Sequence, residues 1–497
     1  MTRRDWLKTA ATGAISTAAY AADEIPGHPR ELKFGEIDFE PPNAEEYRHE
    51  LPHGAVAYLV EDHQFPLVDI SATIRIPSWV VPAENWGLAG LVGSQLRAGG
   101  TKATSARDFD EEAAFLATQI GSNIGQTSGG ASVGCLKSNL DRSLELFFDM
   151  LKNPGFDSER FELAMAQRLQ GMERRNDQTR AIAGREFSRL MRKDHFSSRQ
   201  ITKASLESVT IESMREFHAR YYHPSSFMLA VAGDFDTKEM VDRLSEALSS
   251  GWPATSKPNI SDVPKPTHTP VPGVYLVNKE DVNQSNIRLF HAGIERSNPD
   301  HIAVGVMNDI LGGGGFVSRI TSRVRSDEGL AYSAGSSFQA GNYYPGSFSV
   351  AFQSVNAKCA EASAISIEEI NRMRESKPSA EELATSINYS VEIFPRFFAT
   401  AGQIAGTFVS DEYTKREKDY WKKYRDRVKS VTADEVLRVS QEYLHPDRLA
   451  ILGVGHAGQM LAGNPDKPNY NFKNFDPDGE VTMIPLPDPL TMEYPEG

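Results

Sequence analysis

Arg325 and Tyr332, a cation and a phenol seven residues apart, lie where the chain concentrates its chemistry. They follow Leu311 and four consecutive glycines, Gly312, Gly313, Gly314 and Gly315. Such a run brings backbone close to a ligand or peptide, because no Cβ intervenes. Phe316, Ile320 and Val324 then recur every four residues and predict one apolar stripe of a short helix. Gly329 ends that helix, and Leu330-Ala331-Tyr332-Ser333 reads as the start of a strand. Arg325 and Tyr332 thus flank a helix-to-strand turn and could point at one site. Taken alone they also fit a plainer reading. Arg325 would be a solvated cation near a helix C-terminus, favoured by the dipole, and Tyr332 a half-buried strand aromatic. A phosphate-binding loop is excluded, since Phe316-Val317-Ser318 stands where Gly-Lys-Ser/Thr would be required.

Other combinations resemble chemistry without supporting it. His49-Glu50-Leu51-Pro52-His53 is a literal H-E-x-x-H. Zinc hydrolysis by that motif needs both histidines one turn apart on a helix. Pro52 removes a backbone donor inside that turn and clashes with the turn before it, so the motif is read as a decoy. Ser318 lacks a Gly-x-Ser-x-Gly setting. Cys135 and Cys359 are far apart and form neither a disulfide framework nor a CxxC metal site, so two buried free thiols are expected.

The elements that position these residues come in two copies. Ser208-Val209-Thr210, Tyr221, His223-Pro224 and Gly233 match Ser430-Val431-Thr432, Tyr443, His445-Pro446 and Gly455 at a constant offset of 222 (445 − 223). In each copy an amphipathic helix is predicted, with Met214, Phe217 and Tyr221 or Val436, Val439 and Tyr443 on its apolar face and Thr at its N-cap. An apolar strand follows, Phe227–Ala232 or Leu449–Val454, and the His-Pro turns read as structural. A repeat this long means duplicated domains rather than a solenoid.

An N-terminal domain over 24–250 and a second over 274–463 are expected, joined by a proline-stiffened linker at 251–273. Early strands are expected at Val56–Val60 and Val68–Ile76, and at Val274–Val277 and Ser285–Phe290. The fold class is α+β, each domain a mostly antiparallel sheet with helices on one face. The proline-rich tail, 464–497, is expected to run extended over the surface or a partner.

The 497 residues carry a net charge of −14, which argues against nucleic acid as the main partner. That charge is compatible with an acidic chamber for basic peptides, though a total does not locate a patch. No apolar run is long enough for a membrane span. Met1-Thr2-Arg3-Arg4-Asp5-Trp6-Leu7-Lys8, a mild apolar run and Ala19-Tyr20-Ala21 resemble a twin-arginine export signal over residues 1–21. A periplasmic location is expected from it.

The glycine run, Ser318-Arg319-Ile320, Val324-Arg325-Ser326 and Gly329-Leu330-Ala331-Tyr332 resemble the C-terminal half of the pitrilysin/insulinase-type zinc peptidases, which include mitochondrial processing peptidase subunits. The resemblance extends from Leu51-Pro52-His53-Gly54 to the strand at Leu449. It implies that Arg325 and Tyr332 hold a substrate backbone and help polarise the scissile carbonyl, and that the whole forms half of a clamshell. The glycine run and Asp281-Val282-Asn283-Gln284-Ser285 would line the substrate chamber, with edge pairing to a peptide near Gln284.

The family's inverted zinc motif, H-x-x-E-H, falls on Gly87-Leu88-Ala89-Gly90-Leu91-Val92-Gly93-Ser94. Gly90 and Ser94 replace its histidines, Gly93 its glutamate, and no carboxylate occurs at Gln167-Arg168-Leu169, where a third ligand would fall. A catalytic zinc needs about three protein ligands, so no metal is expected in this chain. The resemblance therefore implies the subunit of a heterodimeric zinc endopeptidase that lacks the motif and lends its Arg/Tyr pair to a zinc-bearing partner. An inert scaffold of the same fold is the alternative.

Overall fold

Two six-stranded sheets organise the chain. The computed structural model describes residues 38–495, so the export-signal expectation at 1–21 lies outside the described residues. Met1–Glu40 and Pro41–Gly497 separate as two units, and both sheets belong to the second. The first sheet contains β1 (Arg48–Glu50), β2 (Val56–Glu61), β3 (Leu67–Ile74), β4 (Gln119–Ile124), β5 (Gly129–Leu136) and β6 (Phe227–Gly233), in the order β1-β2-β6-β3-β5-β4. The second contains β7 (Gly273–Asn278), β8 (Gln284–Ala292), β9 (Ala331–Phe338), β10 (Ser347–Val355), β11 (Ala450–Gly455) and β12 (Thr482–Met483), in the order β12-β7-β11-β8-β10-β9.

Removing the outer strands β1 and β12 leaves one topology written twice, with β2-β6-β3-β5-β4 matching β7-β11-β8-β10-β9. The pairing is antiparallel except between β2 and β6, β7 and β11, and β7 and β12. The two early strands of each half are not neighbours. The late apolar strand, β6 or β11, inserts between them.

Burial explains the composition of those central strands. β3 alternates buried and exposed residues, as a strand with one covered face should, whereas β11 is buried throughout. The second face of each central region is covered by a helix from the other half. Helix Ala401–Tyr413 packs on β2 and β6, and helix Thr179–Met191 packs on β8 and β11. Phe408 meets Tyr47 and Tyr58 at ring separations of 6.1 and 5.7 Å. Glu412 accepts 2.9 Å hydrogen bonds from Arg48 and one of 2.6 Å from Tyr58. In the reciprocal contact, Ile182 and Met191 share a core with Val277, Phe290, Leu452 and Val454. Each such apolar side chain contributes about 1.5–3 kcal/mol, so the two halves stabilise one another.

The repeated helices form as their caps predict. Thr210 and Ser213 make a capping box for Ile211–Tyr221, and Thr432 and Glu435 make one for Ala433–Tyr443. Cys135 and Cys359 are free and buried. The tail has its own structure. Phe472 is fully buried, β12 joins β7, and Ile484 enters the shared core. Beyond it, Asn176 donates to the Pro487 carbonyl at 2.8 Å, and Tyr494 donates to Glu186 at 2.8 Å. The tail therefore straps the second sheet to helices of the first half. No helix among the described residues is long and apolar enough to cross a membrane.

Candidate functional site

The glycine-rich segment is an interrupted helix. Helix His301–Asn308 widens into a π turn at Asp309–Gly313, and Arg319–Thr321 widens likewise at Ser322–Asp327. Ser318 between them is extended, at φ −73° and ψ 150°. This break corrects the expected stripe. Ile320 and Val324 are fully buried, but Phe316 is 65% exposed. Arg319, itself buried, makes a two-point ion pair with Glu382 at 2.6 and 3.0 Å. Burial acts to raise the Glu382 pKa, but hydrogen bonds from Arg319 and the Ser379 backbone outweigh it and bring the carboxyl down to about 2. Thr321 Oγ1 donates to the Ala334 carbonyl at 2.7 Å, and Ser318 Oγ donates to the Gly315 carbonyl at 2.7 Å. The segment is thus fixed to both β9 and the neighbouring helix.

That frame brings Arg325 and Tyr332 together. The Arg325 guanidinium lies 4.7 Å from the Tyr332 ring centre and 4.4 Å from that of Phe316. Tyr332 is 84% exposed although it belongs to a strand. The register supplies the reason. Ala331 faces Ser354 and Ala334 faces Phe352, so Tyr332 and Ser333 together oppose the single residue Gln353. This β-bulge turns both residues outward, as bulges near binding sites commonly do. Arg325 has no ion pair among the described residues. A cation held between two aromatic faces, beside an exposed phenol, can bind and polarise a carbonyl.

The glycines have internal reasons to be glycine. A Cβ on Gly312 would fall 2.5 Å from the Ser336 nitrogen, and one on Gly314 would fall 2.7 Å from the Asp309 carbonyl. A Cβ on Gly313 would come 2.5 Å from Asn308 Nδ2. Only at Gly315, at φ +68°, is the Cβ direction open. Gln284 begins β8, which lies between β10 and β11, and pairs with Val355 of β10. From Asn286 to Phe290 both sides of β8 are taken, so edge pairing on this strand is confined to its first residues, Gln284 and Ser285; the free edge of the sheet beyond β10 is β9, which carries Tyr332.

The expected zinc helix exists as Leu88–Ala98, and its packing is incompatible with the missing residues. A Cβ on Gly93 would lie 2.3 Å from the backbone nitrogen of Ile124 in β4, leaving no room for a glutamate. Gly93 on β4 and Gly312 on β9 are matching close approaches in the two repeats. Arg168, from helix Ser158–Glu173, donates to the Gly90 carbonyl at 3.0 Å and to Ser94 Oγ at 3.4 Å. A guanidinium whose pKa is lowered by burial thus stands against the positions that would hold a metal. Cation and metal ion repel, so this arrangement does not fit zinc. Among the described residues no group of three or more His, Cys, Asp or Glu is placed to hold a metal. The H-E-x-x-H string is no helix either. His49 and Glu50 lie on β1, and His53 sits in a turn at φ 60°.

The sequence reading missed Phe316 as a partner of Arg325, Arg168 as the occupant of the degenerate site, and Asp309. Burial raises the Asp309 carboxyl to about 6, against the opposing pull of Ser386 and Ser390. The adjacent glycines were the available signal for an exposed Phe316. For Arg168 there was none within its own stretch.

Comparisons agree with this geometry. Residues 208–389 match the family described as Peptidase M16 inactive domain. An uncharacterized zinc protease of Rickettsia bellii is 25% identical over 281 residues, 56% of this chain and 66% of that protein. One of Mycobacterium leprae is 29% identical over 208 residues, 40% of this chain and 44% of that protein. The chain thus spans less than two thirds of the length of these curated relatives. The crystal structure of a peptidase M16 inactive domain from Pseudomonas fluorescens superposes with a TM-score of 0.72 at 21% identity, covering 82% of this chain and 97% of that one. This likeness establishes a common fold.

Proposed function

We propose that this chain, which carries a peptidase M16 inactive domain and shares that family's fold, is the non-metal-binding subunit of a heterodimeric zinc endopeptidase. The observation that carries the reading is the Arg325 guanidinium, without an ion pair among the described residues, held 4.7 Å from the ring of an exposed Tyr332, in a chain whose own zinc helix is closed by Gly93 and Arg168. In this account Arg325 holds a substrate backbone carbonyl. The Tyr332 hydroxyl donates to the scissile carbonyl oxygen as it gains negative charge. The zinc and its activated water belong to a homologous partner that retains the inverted motif. The twin-arginine-like N-terminus supports a periplasmic place of action.

A donor aimed at a developing oxyanion contributes about 3 kcal/mol. Tyr332→Phe should therefore slow peptide hydrolysis by the complex on the order of a hundredfold while leaving assembly intact. Wild-type turnover by an intact mutant complex would transfer the chain to the alternative reading, an inert scaffold of the same fold.

A further inference from the structure

A second site lies between the two halves, away from Arg325 and Tyr332, neither of which lines it. It is a cavity of about 1090 Å³, walled by residues after β3, the connecting segment, the turn after β8, and the end of helix Ala401–Tyr413. The volume slightly exceeds the usual range of about 300–1,000 Å³ for small-molecule pockets.

The charge of its wall opposes that of the chain. Arg296 donates to the Thr414 carbonyl at 2.7 Å, and Arg75 donates weakly to the Met228 sulfur at 3.5 Å and lies 5.9 Å from the Tyr413 ring centre. Lys257 and Lys415 are exposed. Among the described residues none of these four cations has a carboxylate at ion-pair distance. The acids on the wall are mostly engaged. Glu295 meets Lys265 at 3.4 Å and Glu417 meets Arg427 at 2.9 Å, which leaves Asp262. Burial, with Arg416 alongside, lowers the Arg296 pKa and outweighs the opposing charge of Asp411, which lies beyond ion-pair distance. Arg416 itself is held by Asp411 at 2.7 Å.

The backbone of the wall narrows the ligand class. Residues 255–263 form no strand or helix and make no backbone–backbone hydrogen bond among the described residues. Pro258 and Pro264 keep the segment from closing into a helix. Its amides and carbonyls are free to pair with an extended chain, as in strand addition. Trp79, Ile260, Val263 and Tyr343 supply apolar surface between the cations. A small phosphate compound would use the cations and leave the backbone edge unmatched.

We propose that this cavity binds an acidic peptide segment in extended form, with its backbone along residues 257–263 and its carboxylates on Arg75, Arg296, Lys257 and Lys415. The inference does not depend on the peptidase reading, and its test involves neither a partner nor hydrolysis. The probe is a fluorescein-labelled peptide of alternating aspartate and leucine, titrated with the full chain and followed by anisotropy.

Saturable binding is expected, weakened by salt and absent for the alternating lysine and leucine peptide. Arg296→Gln removes a charge-assisted contact and should weaken binding about tenfold. Lys415→Glu, at an exposed side chain with no ion pair among the described residues, should do so without touching the fold. Equal binding of the two peptides, or unchanged affinity in both variants, would overturn the proposal. So would pyrophosphate binding at this site without any binding of the acidic peptide.

Discussion

The Arg325 guanidinium is held between two exposed aromatic rings, 4.7 Å from the centre of Tyr332 and 4.4 Å from that of Phe316. The two rings reach it from opposite directions in sequence. Phe316 leaves the glycine-rich turn, and Tyr332 is turned outward by the bulge in β9. The pair expected to meet a substrate is thus a trio, and under the proposed function Phe316 would position Arg325.

Phe316→Ala should leave the fold intact, since the ring is 65% exposed. It removes a cation–π contact of about 0.5–1 kcal/mol. Hydrolysis by the assembled complex should fall about two- to fivefold in kcat/KM, with Phe316→Tyr restoring it. If Phe316→Ala changed nothing, Arg325 would be positioned by its π turn alone.

At the other end of the chain's logic stands Gly93. Its missing Cβ would lie 2.3 Å from the Ile124 backbone nitrogen, and strand backbone does not yield as a flexible side chain would. Gly93→Ala should cost about 1–3 kcal/mol, read as a lower urea midpoint with an unchanged slope. Gly93→Glu should be worse and should recover no metal affinity. Wild-type stability in Gly93→Ala would mean that helix Leu88–Ala98 is not seated on β4.

The ion pair of buried Arg319 with half-buried Glu382 anchors the site segment to helix Ala380–Ile393. Glu382→Ala strands a buried guanidinium and should cost about 3–5 kcal/mol. The pH dependence has a definite sign. The folded-state pKa of about 2 lies below the ordinary 4.5, so the contribution is present above 4.5 and is lost as pH falls towards 2. Urea midpoints measured across that window should drop more steeply for the wild type than for Glu382→Gln. Parallel slopes would contradict the assignment.

Much of this fold was legible because its signals are local. Thr210 and Thr432 mark capped helices, and the apolar runs at Phe227 and Leu449 mark the central strands, so the duplication can be read directly. What was not legible is long-range. Nothing near Ile182 or Phe408 says that each helix covers the opposite half's sheet, because an apolar face does not name its partner. Arg168 reaches Gly90 across 78 residues, a contact that no window contains. The site divided in the same way. The spacing of Arg325 and Tyr332 survived in sequence, whereas the π turns and the bulge that aim them depend on register with β10 and on Glu382. A four-residue period placed Phe316 inside because periodicity assumes an unbroken helix.

The central claim is that this chain supplies substrate-binding groups and no metal. The most direct test is zinc content and peptide hydrolysis of the purified chain, alone and after co-expression with a homologue that keeps the H-x-x-E-H motif. The account predicts no stoichiometric zinc and no hydrolysis by the chain alone, with activity in the assembled pair. Stoichiometric zinc and hydrolysis by the chain alone would contradict it.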